Sequence, residues 1–240
     1  MKISDFAALT FDCYGTLIDW ETGISEALDT WARDRGITAD TADLLATFGT
    51  FEAKHQAATP DALYPEILAA ALRDIGAQFG TEPTTAEQIA FGRSVQDWPA
   101  FPDSAEALAY LKRHYKLVIV SNIDRESFRL SNVKLEVEFD HIITAQDVGS
   151  YKPAPGHFTR MLADMEEMGV GKDQILHTAQ GLFHDHVPAK ELGLTTLWIN
   201  RRAKTEGWSA APTQNAQVKP DFEVPTMAAM VELHQQELAG

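Results

Sequence analysis

The sequence predicts an α/β fold: a doubly wound parallel sheet with a Rossmann-like core, interrupted by an inserted helical cap domain. Short apolar segments recur along the chain between patterns typical of amphipathic helices, and this alternation indicates βα units and a parallel sheet. One long interval, residues 20–95, contains helical patterns and no convincing strand. The sheet pattern resumes near residue 101. We therefore expect an α/β core domain formed by residues 1–19 and 100–240, and a helical cap domain at 20–99.

Five segments have the length and apolar character of buried strands. They lie at residues 7–11, 117–120, 141–144, 175–179 and 195–199. Helical patterns follow or separate them at 104–114, 124–132, 155–168 and 186–192, the last with Gly193 as its expected C-cap. A short edge strand is expected at 220–224 and a final helix at 226–238.

Four helical patterns fill the predicted cap. They lie at residues 24–35, 41–56, 63–79 and 85–95, where apolar residues recur at spacings of three and four. Pro60, Pro65, Gly80 and Pro83 punctuate them, as expected for connections between helices. The cap is therefore predicted to be a four-helix unit.

The charge of the chain limits its partners. The formal net charge is −15, a surface that repels nucleic acid and anionic membranes, so neither is an expected partner. No apolar run approaches the roughly 20 residues of a membrane span, and the N-terminus lacks a signal-peptide pattern, so a cytoplasmic location is expected. Cys13 is the only cysteine, which excludes an intrachain disulfide. An anion site would have to be built locally, from backbone amides and a few cationic or hydroxyl groups.

Chemically active residue types follow the predicted strands. The first strand ends on Asp12 and the second on Ser121-Asn122; the third leads to Lys152, and the fourth to His184-Asp185. Ligands of open parallel sheets bind outside the carboxyl ends of the strands. Each residue alone has an ordinary explanation as a turn or helix cap, but together they predict one site at this edge of the sheet.

These residues lie in segments that resemble a known family. The strings FDCYGTLIDW, VSN, YKPAP and HD, in this order, resemble the motifs of the haloacid dehalogenase (HAD) superfamily, and the first looks like the type II (S)-2-haloacid dehalogenase branch. The resemblance covers nearly the whole chain. It implies a HAD-like fold with a cap inserted after the first motif, a hydrolase that needs no cofactor, and a homodimer.

The resemblance also assigns roles that agree with the chemistry of the residues. Asp12 would be a covalent nucleophile, forming an ester that divides a hard displacement into two easier steps. Lys152 would keep it ionised. Ser121 and the backbone amides around Cys13, Tyr14 and Asn122 would bind a carboxylate or a phosphoryl group. Thr16 would orient Asp12, although formation of the turn alone also explains it.

Tyr14 separates two reactions of the superfamily. The phosphatases carry a second aspartate two residues after the nucleophile, as a general acid for the leaving alcohol, and need Mg²⁺. A halide leaves unprotonated, so Tyr14 at this position favours dehalogenation. Asp185 would then be a structural or orienting acid near Lys152 rather than a metal ligand. A Mg²⁺-dependent phosphatase and a catalytically inactive binding protein remain the alternatives.

The chain departs from the familiar dehalogenases at the fourth motif. They carry a Ser-Ser-Asn run there, whereas residues 179–185 read AQGLFHD. Histidine is the usual general base near neutral pH. We therefore expect His184, oriented by Glu21, to activate the hydrolytic water. Helix capping by His184 and an N-terminal helix position for Glu21 are the structural alternative.

The second departure concerns the halide. The familiar enzymes place an arginine on the second cap helix, and residues 46–51 contain none. Asn122 can donate a hydrogen bond to a leaving halide. Phe48, Phe51 and Trp20 are expected to form an apolar halide pocket, with a place in the core of the cap as the alternative. Arg125 is a less favoured substitute for the missing arginine. The predicted reaction converts small (S)-2-haloacids into (R)-2-hydroxy acids through an Asp12 ester.

Overall fold

The computed structural model describes residues 1–202 and 218–240, and a parallel sheet of six strands runs through them. The strands are β1 (Ala8–Phe11), β2 (Lys116–Ser121), β3 (His141–Thr144), β4 (Ile175–Ala179), β5 (Thr195–Ile199) and β6 (Phe222–Val224). Their spatial order is β3-β2-β1-β4-β5-β6. The predicted parallel α/β sheet, including its edge strand, is confirmed.

The strand order reverses at β1, which pairs with β2 on one side and β4 on the other. Phe11 is in register with Ile119 of β2 and Thr178 of β4, so the carboxyl ends of these three strands lie level. Such a reversal leaves a crevice at the ends of the strands, where ligands of α/β sheets bind. Asp12 follows β1 directly into this crevice.

Ten α-helices lie in the described ranges 1–202 and 218–240. They are α1 (Trp20–Asp34), α2 (Thr41–Ala58), α3 (Tyr64–Gln78), α4 (Thr85–Arg93), α5 (Ser104–Leu111), α6 (Arg125–Asn132), α7 (Ala145–Val148), α8 (Gly156–Glu167), α9 (Val187–Glu191) and α10 (Met227–Ala239). The first four lie between β1 and β2 in the chain, and each packs against the next: α1 on α2, α2 on α3, and α3 on α4. The inserted helical unit therefore exists, while the domain boundaries at 19/20 and 99/100 stay a prediction.

Both faces of the sheet are covered. Leu9 and Phe11 point into one hydrophobic core with Leu108 of α5 and Met230 of α10. Ala8 points to the opposite face, where Val118 and Val120 of β2 meet Phe158 and Met161 of α8. Alternate residues of a strand point to opposite faces, so apolar residues at consecutive positions are what a sheet buried on both sides requires.

The helix expected at 186–192 is present after β4 as the short helix α9. A π-helical turn, Leu182–His186, precedes the short helix α9. Gly181 directly precedes this turn, and a Cβ atom there would lie 2.8 Å from Asp185 Oδ2, so a larger residue would force Asp185 or the turn to shift. Gly193 has a φ of 73°, which agrees with its predicted place at the helix end. In the described part of the chain, no helix combines the length and apolarity needed to cross a membrane.

Candidate active site

Both oxygens of the Asp12 carboxylate are held by side chains. Oδ1 accepts a hydrogen bond from Lys152 Nζ at 2.9 Å, and Oδ2 accepts one from Thr16 Oγ1 at 2.8 Å. The backbone N–H of Gln180 donates to the same Thr16 hydroxyl at 2.9 Å, which directs the hydroxyl proton towards Asp12. Asp12 is 7% exposed. The carboxylate is thus fixed in orientation and open to a ligand only through a narrow part of its surface.

Lys152 bridges two buried carboxylates. Its ammonium group donates to Asp12 Oδ1, to Asp185 Oδ1 at 2.6 Å and to the carbonyl oxygen of Val120 at 2.9 Å, which uses all three of its protons. Burial raises the pKa of Asp12, and Lys152 opposes this shift. Burial also acts to raise the pKa of Asp185, but Lys152 and His177 lower it below its ordinary value. The two carboxylates and one ammonium leave the group with one net negative charge.

A second layer holds Asp185 from behind. His177 Nε2 lies 3.3 Å from Asp185 Oδ1, and His177 Nδ1 lies 2.9 Å from Thr10 Oγ1. Both side chains come from the interior of strands, His177 from β4 and Thr10 from β1, and both are fully buried. Since strand backbones are fixed by the sheet, this layer holds Asp185 and therefore Lys152 in place.

A small cavity of about 90 Å³ opens in front of Asp12. It is far smaller than the roughly 300 Å³ or more of sites for drug-sized ligands, so it admits only a small molecule. Its walls come from both the sheet and the inserted helices. They comprise Asp12, Tyr14, Trp20, Glu52, Gln56, Tyr64, Ser121, Asn122, Lys152, Gln180, Gly181, His184 and Asp185.

Several unused hydrogen-bond donors lie at the sheet side of this cavity. The Ser121 hydroxyl is buried, and no residue that the structure describes forms a hydrogen bond with it. Within the described ranges, the backbone N–H groups of Cys13 and Tyr14 donate to no other residue. Asn122 uses its amide to bind the Lys152 backbone, with Oδ1 accepting at 2.6 Å and Nδ2 donating at 3.1 Å, which leaves one Nδ2 proton. A small anion would find neutral donors here.

Two residues predicted at the ligand site have side chains that do not line the cavity: Cys13, of which only the backbone amide was expected to bind, and Phe48. Cys13 is fully buried in the core and does not line the cavity, so only its backbone can contribute. Phe48 is likewise fully buried and packs between Trp20 and Phe91, with ring centroids 6.2 Å from each. Trp20 lines the cavity and Phe48 does not, so the expectation that Phe48 forms part of the substrate pocket is wrong. Phe48 instead supports Trp20 by packing against its ring. Tyr14 and Trp20 both line the cavity, and the Tyr14 hydroxyl is 2.7 Å from Ser131 Oγ.

His184 lines the cavity, but its predicted partnership with Glu21 is not formed. Among the described residues, no hydrogen bond joins the two side chains; Glu21 Oε2 instead accepts from Arg202, which follows β5. Neither ring nitrogen of His184 bonds to a described residue. Burial lowers the pKa of His184 to about 4, so the imidazole is neutral at neutral pH and can accept a proton.

The cap-side wall contains residues that the sequence analysis missed. Glu52 and Gln56 are one helical turn apart on α2, and Tyr64 begins α3. Tyr64 donates a hydrogen bond from its hydroxyl to Glu52 Oε1 at 2.6 Å. Arg125, considered above as a contact for the halide, instead donates to Asp147 Oδ1 on the exposed surface. Gln180 is a further missed residue, although its place directly after β4 is a signal that the strand-end rule could have used.

Comparisons with known proteins give a consistent family. The model of the haloacid dehalogenase-like hydrolases matches residues 6–178. The chain is 26% identical to (S)-2-haloacid dehalogenase 4A of Burkholderia cepacia over 222 residues, covering 89% of this chain and 91% of that protein. It is 32% identical to haloacetate dehalogenase H-2 of Moraxella sp. (strain B) over 136 residues, 55% of this chain; the aligned part spans only 56% of that relative.

Solved structures share the fold. An L-2-haloacid dehalogenase from Xanthobacter autotrophicus superposes with a TM-score of 0.78 at 22% identity, covering 96% of this chain and 98% of that one. The hydrolase YfnB from Bacillus subtilis, bound to magnesium, superposes with a TM-score of 0.76 at 19% identity, covering 96% and 99%. At this level of identity the likeness concerns the fold, which these proteins share over nearly their full lengths.

Proposed function

Because this chain belongs to the haloacid dehalogenase-like hydrolase family, we propose that it hydrolyses the carbon–halogen bond of small (S)-2-haloacids and releases (R)-2-hydroxy acids. One observation carries the proposal: the Asp12 carboxylate, held at both oxygens, faces a cavity of about 90 Å³, and the residue two positions after it in the sequence, which also lines this cavity, is Tyr14. No leaving-group acid is therefore available at the position that phosphoester hydrolysis would use. The two dehalogenases among the curated relatives support this substrate class.

In the first step Asp12 attacks C2 of the haloacid from the side opposite the halogen. An oxygen–carbon bond forms, the carbon–halogen bond breaks, and the halide leaves with the bonding electron pair. Lys152 and Thr16 hold the carboxylate in one orientation before the attack, which reduces the entropy cost of reaching the transition state. Inversion at C2 follows from this direction of attack and accounts for the change from S to R.

The carboxylate of the substrate is bound by neutral donors. Ser121 offers a buried hydroxyl, and Cys13 and Tyr14 offer backbone N–H groups, none of which bonds to another residue in the described ranges. Lys152 cannot serve this purpose, since its three protons already bind protein oxygens. Binding by oriented dipoles suits a site whose charged groups already sum to a negative value.

In the second step water hydrolyses the ester. His184 removes a proton from the water, the oxygen attacks the carbonyl carbon of the Asp12 ester, and the bond between that carbonyl carbon and the ester oxygen, which Asp12 supplied in the first step, breaks. The alkoxide takes the proton from His184 and leaves as the hydroxy acid, and Asp12 releases the second proton of the water and returns to its carboxylate form. The overall balance is one water consumed, with one hydroxy acid, one halide and one proton released. Glu21 is not the hydrogen-bond partner of His184 in this step, because no hydrogen bond joins the two side chains among the described residues.

The phosphatase alternative fits this site poorly. Mg²⁺ prefers several oxygen ligands, including carboxylates. Asp12 and Asp185 are the carboxylates next to the cavity on the sheet side, and the Lys152 ammonium lies between them at 2.9 and 2.6 Å. Within residues 1–202 and 218–240, no group of three or more His, Cys, Asp and Glu residues is arranged to hold a metal ion. These side chains do not form the donor set that a magnesium ion would need.

The reaction class is tested by measuring two products from the same preparation. Halide release from (S)-2-chloropropionate is measured after treatment with a chelator, and phosphate release from a generic phosphoester is measured with added Mg²⁺. We expect halide release that does not depend on metal. Phosphate release without halide release would replace the proposal with the phosphatase alternative. If neither product forms, no catalytic function is supported with these substrates.

Replacement of His184 by Asn is expected to stop the reaction after the first step. Halide would be released once per active site, and the ester would remain on Asp12, because no neutral imidazole activates the water. Mass spectrometry of the peptide that contains Asp12 detects this adduct. His141→Asn is the matched control, since His141 pairs with Asp164 at the surface and is remote from the cavity. Normal turnover by His184→Asn would exclude His184 as the base.

The wild-type pH profile gives a second readout of the same residue. Burial lowers the pKa of His184 to about 4, so the base form is present above that pH and lost as the pH falls through it. Since His184 acts only on the ester, the acid limb should appear in the rate of ester hydrolysis, and in kcat where that step limits turnover, with its midpoint near pH 4.

The homodimer that was predicted from the sequence stays a prediction, because the structure contains a single chain.

A further inference from the structure

The cap-side wall of the cavity carries a carboxyl group that the two steps above do not use. Glu52 projects from α2, and its Oε1 accepts the hydrogen bond from Tyr64 at 2.6 Å. Its other oxygen, Oε2, bonds to none of the described residues. Glu52 lines the cavity and is only partly buried. One oxygen is thus fixed by Tyr64, and the second is available to a ligand.

The charges around the cavity make an ionised glutamate unfavourable there. Lys152 is the only lysine or arginine among the described residues that line it, and its charge is shared by Asp12 and Asp185. A bound haloacid adds another negative charge, and the departing halide carries one as well. An anionic Glu52 would repel both, whereas a neutral carboxyl group would offer them an O–H donor.

The surroundings of Glu52 favour the neutral form. Burial raises the pKa of Glu52 to about 7, and the hydrogen bond from Tyr64 only partly opposes the shift. Tyr64 faces it from α3, and Tyr151, whose hydroxyl donates to the carbonyl oxygen of Ala62, interacts with it from the segment before α8. Across the cavity lie the titratable groups Asp12, Tyr14, Lys152, His184 and Asp185. A bound anion adds negative charge and would raise the pKa of Glu52 further.

We propose that Glu52 binds the leaving halide, donating a hydrogen bond from its Oε2–H group while Asp12 forms the ester. This assignment rests on the proposed dehalogenase function. The proton stays on Glu52 throughout: the halide leaves with the electron pair of the carbon–halogen bond, and no further reactant is needed. The donor stabilises charge that develops on the halogen only as the bond breaks, so its effect belongs to the transition state and to kcat.

Three variants test the assignment with (S)-2-bromopropionate and (S)-2-chloropropionate. Glu52→Ala removes the donor, and we expect kcat to fall by about 10²-fold with chloride and by less with bromide, the weaker acceptor and better leaving group, with little change in KM. Glu52→Gln keeps a neutral N–H donor and should retain most of the activity at about pH 6. Glu82→Gln, an exposed glutamate of the cap, is the matched control and should behave as wild type.

The pH profile provides a readout that a merely structural role would not change. Glu52 is protonated below its pKa, so wild-type kcat/KM should fall as the pH rises through about 7. Glu52→Gln cannot ionise and should lack this limb. Tyr64→Phe removes a hydrogen bond that lowers the pKa of Glu52, so the limb should move to higher pH.

Three results would overturn the assignment. If Glu52→Ala lowers kcat/KM equally with both substrates, and does so through a higher KM, Glu52 binds the substrate carboxylate instead of the halide. An alkaline limb that persists unchanged in Glu52→Gln would assign that limb to another group, and full activity of Glu52→Ala would remove Glu52 from the reaction. If wild type releases no halide at all, the dehalogenase proposal fails together with this one, whereas active wild type with an unaffected Glu52→Ala rejects this inference alone.

Discussion

Replacement of Asp12 by Asn is expected to reduce halide release from (S)-2-chloropropionate by about 10⁴-fold or more, because the nucleophile of the first step is lost and no ester forms. The amide keeps the size of the side chain and an oxygen that can accept from Lys152 or Thr16. Lys152 also keeps its bond to Asp185, so the fold should survive. Steady-state halide release and near-ultraviolet circular dichroism, measured on the same preparation, separate the loss of catalysis from loss of structure.

Asp34→Asn is the matched control for this variant, since Asp34 is exposed at the end of α1. It makes the same change of chemistry without touching the cavity that contains Asp12, and wild-type activity is expected. Substantial halide release by Asp12→Asn would mean that water attacks the substrate directly and that Asp12 is no nucleophile.

Replacement of Lys152 by Met is expected to affect stability and activity together. Lys152 is 2% exposed, and its removal leaves Asp12 and Asp185 facing each other without a cation. Removing one partner of a buried ion pair costs about 3–5 kcal/mol of unfolding free energy. Protonation of one carboxyl group would relieve the repulsion and would reduce the ionised fraction of Asp12, so activity should fall by about 10²-fold or more.

The stability loss of Lys152→Met should depend on pH. Without the ammonium, the pKa values of the two carboxyl groups are raised in the folded state above their unfolded values. The folded variant then binds more protons than the unfolded one, so its stability is greatest at low pH and falls as the pH rises. Urea denaturation at about pH 5 and about pH 8 should therefore show a smaller difference from wild type at the lower pH.

Lys112→Met is the matched control for this effect. Lys112 binds Asp140 at 2.7 Å, a distance similar to those at Lys152, but its side chain is 32% exposed. Surface ion pairs contribute about 0–1 kcal/mol, so this variant should lose little stability at either pH. Equal stability losses in the two variants would contradict the role assigned to the buried pair.

The sheet and its catalytic edge could be predicted because they follow from local patterns. Runs of apolar residues such as 117–120 mark strands covered on both faces, and parallel strands bring their carboxyl ends to one edge. That rule led to Asp12, Ser121 and Lys152, which the structure gathers around one cavity. Asp185 was found in the same way, but its bonds to Lys152 and His177 depend on side-chain directions that no local pattern contains.

The cap side could not be predicted in the same way, because it depends on how α2 docks against the sheet. Phe48, Glu52 and Gln56 are spaced by four residues along one side of that helix, so the sequence does not tell which of them reaches the cavity. In the structure Phe48 packs against Trp20 and does not line the cavity, while Glu52 and Gln56 do. Glu21 illustrates the same limit: its partner Arg202 is 181 residues away in the chain.

The formation of an ester on Asp12 is tested most directly by one turnover in water that contains a heavy isotope of oxygen, with enzyme in excess over (S)-2-chloropropionate. Water attacks the carbonyl carbon of the ester in our proposal, so the heavy oxygen should appear in the Asp12 carboxylate, detected by mass spectrometry of its peptide, and the hydroxy acid should carry ordinary oxygen. Heavy oxygen found in the hydroxy acid, with none in Asp12, would contradict the covalent role of Asp12.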